Sequence, residues 1–137
     1  MPDIDGTILA LDVGTVRIGV ARASTIARLA SPLTTLANDA AFAASLSKLI
    51  DDESAVKLIV GLPRNLSGED TPQTQYVRDF MTSLEDDIKL PIAWQDEALT
   101  SNKAEHELQA RGKLYTKGDI DALAATYILE DYLNQGA

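Results

Sequence analysis

Regular patterning begins at Thr7, where apolar residues alternate between two faces through Val13, with Ile8, Ala10 and Asp12 on one and Leu9, Leu11 and Val13 on the other. Both faces read as covered, which predicts a central strand over Thr7 to Val13. A tight glycine connection then leads to a second strand, predicted from Arg17 to Ala23 and antiparallel to the first because the turn is short. A third extended segment, roughly Ala27 to Leu36, is broken by Ser31-Pro32, as an edge strand or a bend would be. Asn38 or Asp39 is placed to cap a helix running to about Ile50, with Phe42, Leu46 and Leu49 at helical spacing. The run from Val56 to Pro63, apolar apart from Lys57, reads as a strand buried on both faces and stopped by Gly61 and Pro63.

A polar loop follows from Arg64, longer than its neighbours and therefore a candidate for function or mobility. The next helix is predicted over Pro72 to Leu84, burying Val77, Phe80, Met81 and Leu84. Pro91 to Gln95 reads as a short strand ending in Asp96-Glu97. Thr100, Ser101 and Asn102 offer caps for a helix that ends near Gly112, with Asn102 and Glu105 at capping-box spacing. A basic connector, Lys113 to Gly118, precedes a last helix from Asp119 to Leu133. Three strands followed by alternating helices and strands require an antiparallel meander extended by parallel pairing. The expected architecture is an α/β mixed five-stranded sheet with helices on both faces, one domain over residues 1–137.

Composition narrows the partners. With 45% hydrophobic residues in 137, the chain can bury a core, and having no cysteine it can form neither disulfides nor thiolate metal sites. The acidic start MPDIDG does not read as a signal peptide, and no apolar run approaches the roughly 20 residues of a membrane span. A cytoplasmic protein with no membrane partner is expected. The net charge of −9 argues against grip on nucleic acid through a broad basic surface. Local clustering of Arg17, Arg64, Lys103, Arg111, Lys113 and Lys117, together with cations on some carboxylates, would offset it.

Three acidic positions stand at element ends: Asp12 closing the first strand, Asp96 and Glu97 closing the last, and Asp121 opening the final helix. Ligands gather at such strand ends in open sheets. Convergent carboxylates suit Mg²⁺ or Mn²⁺, which take oxygen ligands, water and substrate phosphate. Each also has a local explanation: Asp12 as a cap on the Gly14 turn, Asp96 and Glu97 as a helix-dipole pair, Asp121 as a first-turn acid.

The segments LALDVGTVRIGVA, IVGLPRNLSG, DEALTS and KGDIDALAATYILEDYL, in that order and spacing, resemble the YqgF/RuvX family of pre-16S ribosomal RNA nucleases, related to RuvC resolvases. The resemblance covers nearly the whole chain. It implies an RNase H-like sheet and a metal-dependent nuclease that trims the 16S rRNA precursor, a partner met on a ribosomal particle. By matched position, Asp12, Glu97 and Asp121 would be the catalytic metal ligands, using Mg²⁺ or Mn²⁺. Arg17, Arg64 and Lys117 would contact substrate phosphates. The chain departs from the family at Val16, where a basic residue is usual, and at Ala98, where an arginine follows the glutamate. Branched DNA, as for a Holliday junction resolvase-like endonuclease, is the alternative substrate, and a non-catalytic nucleic-acid or ribosome-associated binding module the alternative class. DVGTVRIG also looks like the first phosphate loop of actin-like ATPases, but those need a second, duplicated domain for which this chain is too short.

Helix phase separates two neighbouring aspartates. If Ala124 and Ile128 centre the buried face of the last helix, Asp121 points inward and Asp119 nearly opposite. Asp119 then serves as a cap beside Gly118, and Asp131 lies too far along the axis to share a metal.

Overall fold

The computed structural model describes residues 5–97, 110 and 116–135. The predicted helix between Asn102 and Gly112, with its caps, and most of the basic connector lie outside the described residues, as do Ala98, Lys103, Arg111 and Lys113. The described elements are β1 (Thr7–Val13), β2 (Arg17–Ser24), β3 (Ser31–Ala37), α1 (Phe42–Glu53), β4 (Ala55–Pro63), α2 (Pro72–Leu84), β5 (Ile92–Glu97) and α3 (Lys117–Gln135). The strands form one sheet in the order β3-β2-β1-β4-β5. β1 pairs antiparallel with β2 and β2 with β3, whereas β1 with β4 and β4 with β5 are parallel. This is the predicted mixed sheet.

The alternation in β1 divides the sheet cleanly. Leu9, Leu11 and Val13, with Ile18 and Val20 of β2 and Leu58, Val60 and Leu62 of β4, meet Phe42 and Leu46 of α1 and Val77, Met81 and Leu84 of α2. Each large aliphatic side chain buried here contributes roughly 2 kcal/mol. The opposite face is small: Ile8 and Ala10 of β1, Ala21 and Ala23 of β2, and Ile59 of β4 receive Ala125, Ile128, Leu129 and Leu133 of α3. Two glycines sharpen that contrast. A Cβ on Gly19 would lie 2.0 Å from the Asp121 carbonyl oxygen, and one on Gly61 would lie 2.4 Å from Ile128 Cδ1. The last helix therefore rests almost on the backbone of β2 at its start, which an interior strand glycine permits.

Several boundaries differ from expectation for local reasons. The third strand begins at Ser31, because Ser24 Oγ accepts from the Ile26 and Ala27 amides and Arg28 takes φ 56°. Neither Asn38 nor Asp39 caps α1 in the expected way; its N-cap is Ala41, and the Asp39 carboxylate accepts from the Ala41 amide while its carbonyl accepts from the Phe42 amide. α2 starts at Pro72 as predicted, on a reciprocal Thr71–Thr74 capping box. α3 starts two residues before the predicted Asp119, since Thr116 and Asp119 exchange hydrogen bonds of 2.9 and 3.1 Å. Arg28 donates to the Leu133 carbonyl at 2.8 Å, tying the far end of α3 to the β2–β3 connection. Among the described residues no helix is long and apolar enough to cross a membrane.

Candidate active site

The site is built where β1, β4 and β5 end and α3 begins. Asp12 shares the small face of the sheet with Ala10, and its antiparallel partner on β2 is Gly19. Because α3 settles onto Gly19 at Asp121, the two aspartates become neighbours across 109 positions of chain. The Asp12 carboxylate accepts no hydrogen bond among the described residues. The Gly14 turn is closed instead by its own backbone, the Gly14 amide donating to the Arg17 carbonyl at 3.0 Å, so Asp12 is not the turn's cap. Burial first, and the Asp121 charge second, push the Asp12 carboxyl up from 3.8 to about 7.

Asp121 has a partner. Arg17, at the start of β2 and on the same face as Gly19, donates from Nε to Asp121 Oδ2 at 2.8 Å, with side-chain exposures of 36% and 20%. Asp119 is exposed and spends its carboxylate on the Thr116 amide. The inward and outward assignment of the two aspartates agrees with the helix phase, although Asp119 works from within the first turn rather than ahead of it.

β5 separates Asp96 from Glu97. Register pairs Leu58 with Ile92 and Pro63 with Glu97, so Ala93, Gln95 and Glu97 fall on the small face with Asp12, and Asp96 falls on the bulky one. Asp96 meets Arg64 Nε at 3.4 Å. Glu97 is half-buried at the strand end, two strands from Asp12 and two residue steps further along. Among the described residues no three acidic or histidine side chains lie close enough together to hold a metal ion. The close pair is Asp12 with Asp121. Its donor set still fits Mg²⁺ or Mn²⁺, which commonly take one or two carboxylates and complete their shell with water and phosphate oxygens.

The basic residues divide as well. Arg64 is paired with Asp70 and Asp96, and its amide bonds the Glu97 carbonyl at 2.9 Å, so it braces its own loop against β5. That loop is internally bonded, Asn65 Oδ1 accepting from the Ser67 and Glu69 amides. Lys117 is exposed at the first residue of α3.

One residue that braces this end reads from sequence as something else. Asn38 donates from Nδ2 to the Gly14 carbonyl and to Tyr76 Oη, each at 2.8 Å, and its amide bonds the Val16 carbonyl at 2.9 Å. It clamps the turn after Asp12 to α2. An asparagine after a predicted strand signals a cap as readily as a clamp, so only the fold distinguishes them. The tip it holds carries Val16 65% exposed.

The sheet order, the parallel extension and the crossing of α3 over β1 and β2 define an RNase H-like fold. RuvC of Thermus thermophilus, solved in complex with a Holliday junction substrate, superposes with a TM-score of 0.58 at 12% identity over 96% of each chain. The profile of the family described as "RuvX: Holliday junction resolvase" matches residues 6–135, and the chain belongs to that family of nucleases. Among its relatives, a protein of Chloroflexus aurantiacus named "Putative pre-16S rRNA nuclease" is 41% identical over 134 residues, 95% of this chain and 88% of its own length. One of the same name from Sulfurihydrogenibium sp. is 36% identical over 130 residues, 93% and 90% of the two chains.

Proposed function

We propose that this protein is a cytoplasmic, divalent-metal-dependent nuclease that hydrolyses RNA phosphodiester bonds in trimming the 16S rRNA precursor, on or beside a ribosomal particle. The observation that carries the metal dependence is the Asp12–Asp121 pair. Two carboxylates placed side by side, one desolvated enough to resist ionisation near neutral pH, gain most from a cation between them. Mg²⁺ or Mn²⁺ bound there would supply Lewis-acid polarisation of the phosphodiester and a nucleophilic water. Asp12, fixed at a strand end, and Asp121, fixed by the helix resting on Gly19, would hold the ion with little rearrangement. Glu97, on the same face, would complete the ligand set as substrate enters. Arg17 and Lys117 flank the pair and would bind phosphate, with Arg64 setting the loop on the other side.

The second reading is cleavage of branched DNA, favoured by the description of the matching family. A cleavage assay on structured RNA, single-stranded RNA and four-way DNA junctions, with Mg²⁺, Mn²⁺ or chelator, separates the readings. Metal-dependent cutting of RNA with intact junctions is the expected result. Junction cutting alone would favour the second reading, and no cutting of any substrate would reduce the protein to a binding module.

A further inference from the structure

The arginine at the start of β2 stands in a telling place. It meets Asp121 through Nε alone, and its two terminal amino groups form no hydrogen bond among the described residues. The Arg17 side chain is the more exposed partner of the pair. Asp12, the neighbouring carboxylate, receives no ion pair or hydrogen bond from it. A cation entering between Asp12 and Asp121 would therefore find one carboxylate oxygen already engaged by a fixed positive charge that cannot be neutralised by losing a proton.

We infer that Arg17 is an exchangeable counter-cation: it holds Asp121 in the metal-free protein, releases that carboxylate when a divalent ion binds, and turns its freed guanidinium to a substrate phosphate. The inference rests on the metal-dependent reading above and adds the order in which the site fills. Three consequences follow from charge and geometry. Arg17 competes with metal for Asp121 Oδ2, so metal alone binds more weakly than the two carboxylates would allow. Nucleic acid that draws Arg17 away removes the competitor, so it tightens metal binding. By linkage, metal tightens nucleic-acid binding by the same factor. The protein thus avoids gripping nucleic acid firmly before it carries the ion needed to cut it.

The test is calorimetric titration with MnCl₂ of wild type, Arg17→Gln and Arg17→Lys, without nucleic acid. A second arm measures fluorescence anisotropy of a phosphorothioate-blocked RNA hairpin with and without MnCl₂. Arg17→Gln should bind Mn²⁺ roughly fivefold tighter than wild type, the scale of one partly exposed ion pair. It should bind the hairpin more weakly, with a salt dependence reduced by about one phosphate contact. Arg17→Lys, which keeps the charge but loses the Nε geometry, should fall between the two and serves as the reading if Arg17→Gln does not fold. In wild type, Mn²⁺ should strengthen hairpin binding, and in Arg17→Gln that coupling should shrink about fivefold, to the part that direct contact between metal and phosphate supplies. Wild type binding Mn²⁺ while neither variant binds it more tightly would overturn the exchange and leave the nuclease reading intact. Wild type binding no Mn²⁺ would overturn both.

Discussion

The two faces of the sheet are built to opposite rules. On one, leucine, isoleucine and valine of β1, β2 and β4 form a thick layer that keeps α1 and α2 at side-chain distance from the strands. On the other, alanine and glycine let α3 descend until its backbone meets that of β2 at Gly19. The bulky face supplies stability by area. The small face positions chemistry, because only a helix seated that low puts Asp121 beside Asp12.

The sharpest way to break this contrast is Gly19→Val. The atom in the way is a helix carbonyl rather than the end of a flexible side chain, so α3 must shift. We expect a loss of at least about 3 kcal/mol in urea unfolding and no measurable cleavage. Leu11→Ala on the bulky face should also lose roughly 3 kcal/mol, yet cleavage per folded molecule should stay within about twofold of wild type. Equal loss of activity in both would show that the faces do not divide the labour.

Next in size is Asp121→Asn, which should abolish metal-dependent cleavage and the rise in melting temperature with Mn²⁺ while the metal-free fold persists. Retained activity would remove Asp121 from the site.

The third test uses pH. The Asp12 carboxyl is raised from 3.8 to about 7 in the folded protein, so the native state holds a proton that the unfolded chain gives up. Between those values the unfolded state binds fewer protons, and metal-free stability should fall as pH rises, levelling off above about 7. The drop should be on the order of 2 kcal/mol once relaxation and water access are allowed for. Asp12→Asn should flatten it, and Mn²⁺ should oppose it by favouring the ionised carboxylate. A metal-free stability that climbs through the same window would mean Asp12 is not desolvated.

The smallest effect belongs to Asp119→Asn. The side chain still offers an oxygen to the Thr116 amide, so stability should change by no more than about 0.5 kcal/mol and cleavage should be unaltered. A large loss of cleavage would place Asp119, not Asp121, in the site.

Much of this division was legible in sequence because β1 alternates without error and its last inward position is an aspartate. The parallel extension followed from strands separated by helices, and the inward turn of Asp121 followed from a helical phase anchored on Ala124 and Ile128. What escaped was whatever depended on distance between segments. Gly19 and Gly61 sit inside apolar strands, a signal of close backbone approach, but nothing local says which element approaches. Asp96 and Glu97 are adjacent in sequence, and only the register of β5 against β4 sends them to opposite faces. Arg64 reads as a free cation until the fold brings Asp96 beside it. Asn38 reads as a helix cap because its real partners, Gly14 and Tyr76, lie 24 and 38 positions away.

The tethering of α3 at both ends has a consequence for the protein's birth. Arg17 reaches Asp121 across 104 positions, and Arg28 reaches the Leu133 carbonyl across 105. Strands β1 to β5 can begin to pair as they leave the translating ribosome, with α1 and α2 covering one side, because their contacts form in the order of synthesis. Among the described residues the other side is covered only by α3, which follows all five strands. Asp12 is made 109 positions before Asp121 and waits for its neighbour through the synthesis of the other four strands. Proximity of the two carboxylates is therefore a late event of folding, dependent on contacts more than 100 positions apart in sequence. An enzyme that cuts nucleic acid, emerging from a machine made of it, cannot bring these two carboxylates together until α3 has been made.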